Sequence, residues 1–418
     1  MKNFYLLKQV LFLLTGLMAC GVSNATTIKV GHNQSVKTIK QAVLMARSGD
    51  TILVEKGLYK EGNITIDKPL TLLGHDLPTL DGEKKHEPIS IKSPYVTIKG
   101  FHIKSSGQSS LTDIAGIKVY NTEHVNIINN TIEDNFFGVY FQASKNCKAE
   151  NNTITAFGTT EQLSGNGIHA WKSDSLSINN NSITGHRDGV YLEFVTHTHV
   201  ENNRSKNNIR YGLHFMFSHD NAYLHNEFTH NGAGVAVMYT KRVRMEHNVF
   251  NENWGDSAYG LLLKDITDSE IKNNRFIKNT TAIFMEGSNR IHIENNQIEG
   301  NGWALKIQAS CEDNMLTNNN FVNNTFDVAT NNLTLIQNTF IKNYWDKYEG
   351  YDLNKDGLGD VPYRPISLFS VIVEQYPMTM LLFRSFISKL LDRTERVMPS
   401  LTPENLKDDS PYMKPIAV

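Results

Sequence analysis

The side chains whose types and spacing suit a definite chemistry here are histidine and methionine. His214 and Met216 stand two residues apart in Tyr-Gly-Leu-His-Phe-Met, and Met238 closes the related run Gly-Val-Ala-Val-Met, 22 positions after Met216. Two thioethers and an imidazole form a donor set for a soft, monovalent copper(I) ion held transiently. The same residues serve as an apolar docking surface or pack under a loop. His225 and His247 are also 22 apart, each directly before an Asn, with His197, His199, His219 and His230 nearby. An imidazole pair suits copper or zinc, and His also replaces Asn in a polar corner row. Asp352, Asn354, Asp356 and Asp360 occupy positions 1, 3, 5 and 9 of a calcium-type loop, with Gly357 at position 6. Position 12 is Tyr363 rather than the closing Glu. A weak calcium site and a hydrogen-bonded loop therefore stand as equal readings.

The elements that must position these groups follow from a repeat. A polar-Asn-x-(Ile/Phe) signature places Asn at 130, 152, 181, 203, 226, 248, 274, 296, 319 and 338, in steps of 22, 29, 22, 23, 22, 26, 22, 23 and 19. A second marker, a small residue leading an alternating apolar triplet, starts at Gly116, Gly138, Gly167, Gly189, Gly212, Gly234, Gly260, Ala282 and Ala304. A period near 22 with short alternating segments is one turn of a β-helix, about three short strands and their corners. Single coils cannot bury their apolar face, so they stack at about 4.8 Å. The expected fold is an all-β, right-handed, single-stranded parallel β-helix with a short helical N-terminal cap over Thr38–Ala46 and a C-terminal non-repeat region containing a helix. The longer steps mark inserted loops around Gly158–Gly165 and Trp254–Ala258. Alternation puts His169, Tyr191, His214, Ala236 and Leu262 in one outward column and Trp171, Glu193, Met216, Met238 and Lys264 in the next. Asn marker residues read as structural, since stacked Asn side chains bond along the axis and tolerate left-handed corners.

The organisation expected is a signal peptide over 1–25, an N-terminal cap with irregular first coils over 26–115, and regular coils over 116–343. An acidic Gly-rich loop (344–365), an apolar docking or capping helix region (366–394) and a polar tail (395–418) follow. Lys2 and Lys8, the apolar run Val10–Ala19 and Ser23-Asn24-Ala25 form the export signal. Cys20 lies in a partial lipoprotein box and leaves a lipid anchor open as the lesser alternative. Cys147 and Cys311 lie seven coils apart, roughly 34 Å, too far for a disulfide. Beyond Pro377, residues Met378, Leu381, Leu382, Phe386, Leu390 and Leu391 fall on one helical face. That face needs a partner: the last coil, the bilayer surface or a membrane protein. A formal net charge of −2 gives no basic face for nucleic acid.

The run Arg210-Tyr-Gly-Leu-His-Phe-Met-Phe-Ser-His, the segment Gly234-Val-Ala-Val-Met-Tyr and the stretch Asn343-Tyr-Trp-Asp…Tyr351-Asp-Leu-Asn-Lys-Asp-Gly-Leu-Gly-Asp-Val-Pro-Tyr-Arg-Pro together resemble the NosD family over nearly the whole mature chain. The resemblance implies a periplasmic β-helix protein without enzymatic activity. It would dock on an ABC-type permease with its ATPase, meet the membrane through that permease, and work with a copper chaperone lipoprotein. Together these support building the copper–sulfur centre of nitrous oxide reductase, contacted directly or indirectly. No GxxxxGK[ST] occurs here, consistent with an ATPase on another chain. The apolar segment after Pro377 would meet the permease. The competing reading is a carbohydrate-binding β-helix, lyase or epimerase, whose chemistry needs clustered carboxylates with a base. Glu193 faces outward between Trp171 and Met216, and Arg187 with Asp188 reads as a corner ion pair. A structural, adhesin-like surface protein is a third reading.

Overall fold

Three-residue segments with an apolar centre, such as Asn126–Ile128 and Thr131–Glu133, alternate with six-residue segments such as Ala115–Tyr120. Each centre is buried and its flanks face out, the alternation a parallel strand with one wall on the core requires. The computed structural model describes residues 25–109, 111–255, 258–308, 310–331, 337–397 and 406–417. Apart from Ala25, the expected export signal, Cys20 included, lies outside the described residues. The strands form three parallel sheets of 14, 12 and 13 strands, each strand pairing with its counterparts one coil before and after. The result is a right-handed parallel β-helix.

Corners are turned by residues in the left-handed region, Asn129, Asn151, Asn180, Asn202, Asn273, Asn295 and Asn318 among them. Asn tolerates this conformation better than other non-glycine residues. The Gly-led strands have a different cause: a Cβ on Gly212 would stand 2.7 Å from the Gly234 carbonyl oxygen of the next coil. Inside, like side chains stack along the axis, with Phe228, Phe250 and Phe276 at ring spacings of 5.6 and 4.5 Å.

The marker Asn residues form a buried ladder. Asn203 Nδ2 donates to Ile178 O (2.8 Å) and Asn226 Oδ1 (3.0 Å), and Asn203 N donates to the same Asn226 Oδ1 (2.9 Å). Asn338 does not belong to it. Asn319 donates instead to Asn343, and Asn338 serves a separate row with Asn314. Both Asn338 and Asn343 precede alternating apolar residues, so the pattern alone selected the wrong one. A second Asn ladder, Asn208, Asn231, Asn253, Asn279, Asn301 and Asn324, lies five residues beyond the first.

At the N-terminal end, helix α1 (Ile39–Met45) covers the first coil with Ile39, Ala42 and Val43, and Thr38 accepts from Gln41 N at its start. At the other end, regular pairing continues to Tyr344–Trp345, past the expected limit of 343. The end of the chain is not a loose polar tail. Asp408 is fully buried and accepts from Lys342 N, Asn343 N, Asn343 Nδ2 and Trp345 Nε1 at 2.9–3.1 Å. Ile416 bonds Asn320 through both backbone groups.

The segment after Pro377 is not one helix. Helix α2 (Leu368–Gln375) is followed by a 3-10 turn over Pro377–Leu382, and helix α3 (Phe386–Val397) begins only after Arg384, whose φ is +61°. Phe369 and Val373 pack on Phe326 at the outer face of the 12-stranded sheet, and Lys306 pairs with Glu374 at 2.7 Å.

Candidate functional site: the outer face of the 12-stranded sheet

Strand register places Met216 directly beside Met238, His214 beside Ala236, and Tyr191 beside His214. The outward columns expected from alternation are therefore present. What covers them differs from simple exposure. Tyr140, His169, Tyr191 and His214, one per coil, form a ring ladder with centroid spacings of 4.4, 5.0 and 5.0 Å. Tyr211 packs on His214 at 4.9 Å. His214 consequently keeps only 4% of its surface, although it points away from the core.

Asp188 is fully buried beside it. Its main partner is not Arg187, which lies 3.8 Å away, but Arg210 on the next coil. Arg210 clamps the carboxylate with Nε at 2.9 Å from Oδ1 and Nη2 at 2.6 Å from Oδ2. Asp188 Oδ2 also lies 3.6 Å from His214 Nδ1. Burial raises the Asp188 pKa, but hydrogen bonds from His214 and Arg210 and the Arg210 charge outweigh it and hold the carboxyl below its ordinary value. His214 Nε2 is buried with no hydrogen-bond partner among the described residues. The Tyr191 hydroxyl donates to Met216 Sδ at 3.5 Å, and burial with nearby Glu193 pushes that phenol up to about 12. An imidazole nitrogen without a partner and two adjacent thioethers suit copper(I).

Sequence reasoning missed the neighbouring corner. Phe194, Phe217 and Tyr239 directly follow Glu193, Met216 and Met238, all in the left-handed region with φ of +54°, +50° and +54°. They are exposed and stack face to face at 5.2 and 5.0 Å. Three aromatic residues in this conformation, each strained by roughly 1–2 kcal/mol, form an apolar ridge beside the methionines. The signal was an aromatic residue after the same column position in three consecutive coils. Their faces cover one another, so mainly ring edges point outward, poorly suited to stacking on a sugar.

The other candidates resolve separately. His225 and His247 are exposed and stack with centroids 4.8 Å apart and planes at 1°, both in left-handed corners. They occupy the row that Asn202 and Asn273 hold on adjacent coils, as the ladder reading expects. His197 is paired with Asp174 at 2.8 Å and His230 with Glu252 at 2.8 Å. Among the described residues, no three His, Cys, Asp or Glu side chains come together to hold a metal ion. In the acidic loop, Asp352 accepts from Asp356 N (3.2 Å) and Gly357 N (2.9 Å), Asn354 from Asp356 N (3.0 Å), and Asp360 from Leu353 N (2.6 Å). Tyr363, at the position of the missing Glu, donates its hydroxyl to Asp327 at 2.8 Å. The loop is organised by its own hydrogen bonds. Met378, Leu381, Leu382, Phe386 and Leu390 are exposed, whereas Leu391 turns inward toward Phe326, Phe369 and Val373. No helix among the described residues is long and apolar enough to cross a membrane.

Fold and site together define a β-helix scaffold whose outer wall carries a covered His/Met/Tyr row and an exposed aromatic ridge. Residues 151–350 match the family model described as periplasmic copper-binding protein (NosD), and residues 58–161 match a right-handed β-helix model. Proteins named probable ABC transporter binding protein NosD share 28% identity in Stutzerimonas stutzeri (85% of each chain) and 29% in Pseudomonas aeruginosa (84% of this chain, 86% of that one). The chain is thus similar to the NosD family, by the family model over residues 151–350 and by these relatives over most of its length. Among solved structures, a GH87 α-1,3-glucanase catalytic unit of Streptomyces thermodiastaticus aligns at TM-score 0.60 and 13% identity over 72% of this chain and 63% of that one. The Streptococcus pneumoniae adhesin PfbA aligns at 0.55 and 15% over 70% and 87%. These likenesses concern the fold alone.

Proposed function

We propose that this chain is a periplasmic, non-enzymatic accessory protein that docks on an ABC-type permease with its ATPase and helps pass copper(I) toward the copper–sulfur centre of nitrous oxide reductase. The observation that carries the reading is the pairing of Met216 with Met238 beside the unpartnered His214 Nε2, in a family described as copper-binding. Copper is cargo here, delivered by a copper chaperone lipoprotein and held by a soft donor set that binds without oxidising it. The Phe194–Phe217–Tyr239 ridge borders the methionines where a delivering or receiving protein would approach. The exposed Met378, Leu381, Leu382, Phe386 and Leu390 give the permease an apolar surface and associate the protein with the membrane through its partner.

A polysaccharide-active enzyme is disfavoured. Asp188 is buried and clamped by the half-buried Arg210, and Glu193 is flanked in its column by Trp171 and Met216 without a second carboxylate. Copper(I) titration of the mature protein under reducing conditions tests the proposal. The intact chain should bind one equivalent, and Met216→Ala with Met238→Ala should lose it and leave the reductase short of copper while circular dichroism stays unchanged. Full copper in the reductase from that double variant would remove these residues from the proposal.

A further inference from the structure

The outward column that carries the methionine pair is charged unevenly. It runs Trp171, Glu193, Met216, Met238, Lys264 and Glu286, each residue beside the next on adjacent coils. Lys264 is tied to Glu286 at 3.4 Å, so its charge is met on the side away from the methionines. Glu193 has no such counterpart. Among the described residues its carboxylate forms no ion pair, and Lys172, at the corner beside Trp171, is drawn over the Trp171 ring at 4.4 Å. The Tyr191 hydroxyl shows where the carboxylate stands. It donates to Met216 Sδ at 3.5 Å. Burial first, and then the Glu193 charge and its hydrogen bonding, keep the proton on that same phenol. One hydroxyl in reach of both groups puts the carboxylate and the Met216 sulfur within about 7 Å of each other, since each contact spans at most about 3.5 Å. Glu193, Met216 and Met238 are all half-buried, each keeping part of its surface open on the outer wall.

We propose that Glu193 is the counter-charge of the copper(I) site: it does not ligate the ion, but its carboxylate balances the positive charge that the neutral thioethers of Met216 and Met238 leave on it. This rests on the copper reading above and adds a residue that sets affinity without coordination. Thioethers carry no charge, so a monovalent ion held by them keeps its full positive charge in a partly desolvated place. A hard carboxylate is a poor ligand for so soft an ion. At roughly 6 Å, however, its field changes affinity about tenfold once solvent screening is included. Lys264, on the other side of the pair, does not cancel this field, because Glu286 already offsets it.

The test uses the intact mature chain and copper(I), kept reduced and competed against bicinchoninate in sodium sulfate, since chloride itself complexes copper(I). At about 0.01 M ionic strength, where the screening length is about 30 Å, Glu193→Gln should raise Kd about tenfold. At about 1 M, where that length is about 3 Å, the two proteins should converge. Glu193→Asp keeps the charge and should restore most of the affinity. An unchanged Kd at low salt overturns the proposal. A weakening that persists at high salt also overturns it, by marking a role in shape rather than charge. A purely structural Glu193 would lower the melting temperature of Glu193→Gln and leave Kd where it was. Should Glu193→Gln not fold, the wild-type chain decides: its own Kd should rise about tenfold between the two salt concentrations, and a flat profile overturns the proposal. The copper reading fails separately. If Met216→Ala with Met238→Ala binds as wild type does while Glu193→Gln still weakens binding, the methionines are not the ligands and the counter-charge stands. A chain that binds no copper(I) refutes both.

Discussion

Replacing Asp408 by Ala strips the acceptor from four donors of the last coil at once: Lys342 N, Asn343 N, Asn343 Nδ2 and Trp345 Nε1, at 3.0, 2.9, 3.0 and 3.1 Å. A hydrogen bond to a charged group contributes about 1.5–3 kcal/mol, so four have a ceiling of roughly 6–12 kcal/mol. Water reaches the last coil once the segment around Leu406–Ile416 lifts away, and rescues part of this. A net local loss of about 4 kcal/mol is expected. Each coil contacts chiefly its neighbours, so the loss stays at this end rather than melting the whole solenoid. Native-state hydrogen exchange should therefore accelerate about 10³-fold at Asn343 and Trp345, with each 1.4 kcal/mol giving a factor of ten. Exchange near Asn203 and Asn226 should not change. Trp345 is only 1% exposed, so its fluorescence should shift to the red. Unchanged exchange at Asn343 and an unshifted Trp345 emission would refute the claim that Asp408 holds the last coil closed.

Three further outcomes are expected. His186 is fully buried, and burial pushes its pKa from 6.5 down to about 4. The unfolded chain then binds a proton that the folded chain does not as pH falls from 6.5 to 4, so stability drops on acidification by on the order of 3 kcal/mol from this residue. His186→Asn, which would extend the row of Asn208, should flatten the urea midpoint over that pH window relative to wild type; parallel curves would contradict the assignment. Phe217→Asn should hold or raise the melting temperature, since Asn relieves about 1 kcal/mol of left-handed strain, yet weaken copper-dependent binding of a delivering protein in surface plasmon resonance. Lower stability with intact binding would make the ridge merely structural. Substituting Met378, Leu381, Phe386 and Leu390 with Ser should leave a folded, soluble protein that no longer co-purifies with the permease, and retained association would place docking elsewhere.

The architecture was readable from spacing because one side-chain row recurs on every coil: Asn130, Asn152, Asn181 and their successors mark the period, and the period sets the register that joins Met216 to Met238. The same spacing held more than was drawn from it. Asp188 and Arg210 are 22 apart, one coil, which predicts their pairing better than the adjacency of Arg187. The second Asn ladder recurs five residues after the first and went unnoticed because its rungs precede no uniform apolar residue. Other features were not local. Alternation says which face His214 occupies, but not that Tyr191 and Tyr211 bury it. Asp408 lies 65 residues from Asn343, in a stretch that reads as polar and loop-like, and only the folded end of the solenoid creates the donors it satisfies. Leu391 falls on one helical face with Leu381 and Leu382 in the sequence, but the break at Arg384 puts it on a separate helix, where it turns inward.

The Asn ladder is a one-way chain. Each rung hands its N–H groups forward and receives at its single amide oxygen, from Phe101 N onto Asn130 at the start to Asn343 at the end. Another amide at the terminus would only pass the unmet donors along, so the row can stop only at a group that accepts and gives nothing. A carboxylate is such a group. The length of the solenoid is thus set chemically as well as by sequence: coils can be added or lost between rungs, but growth past Asn343 is closed by the charge standing there.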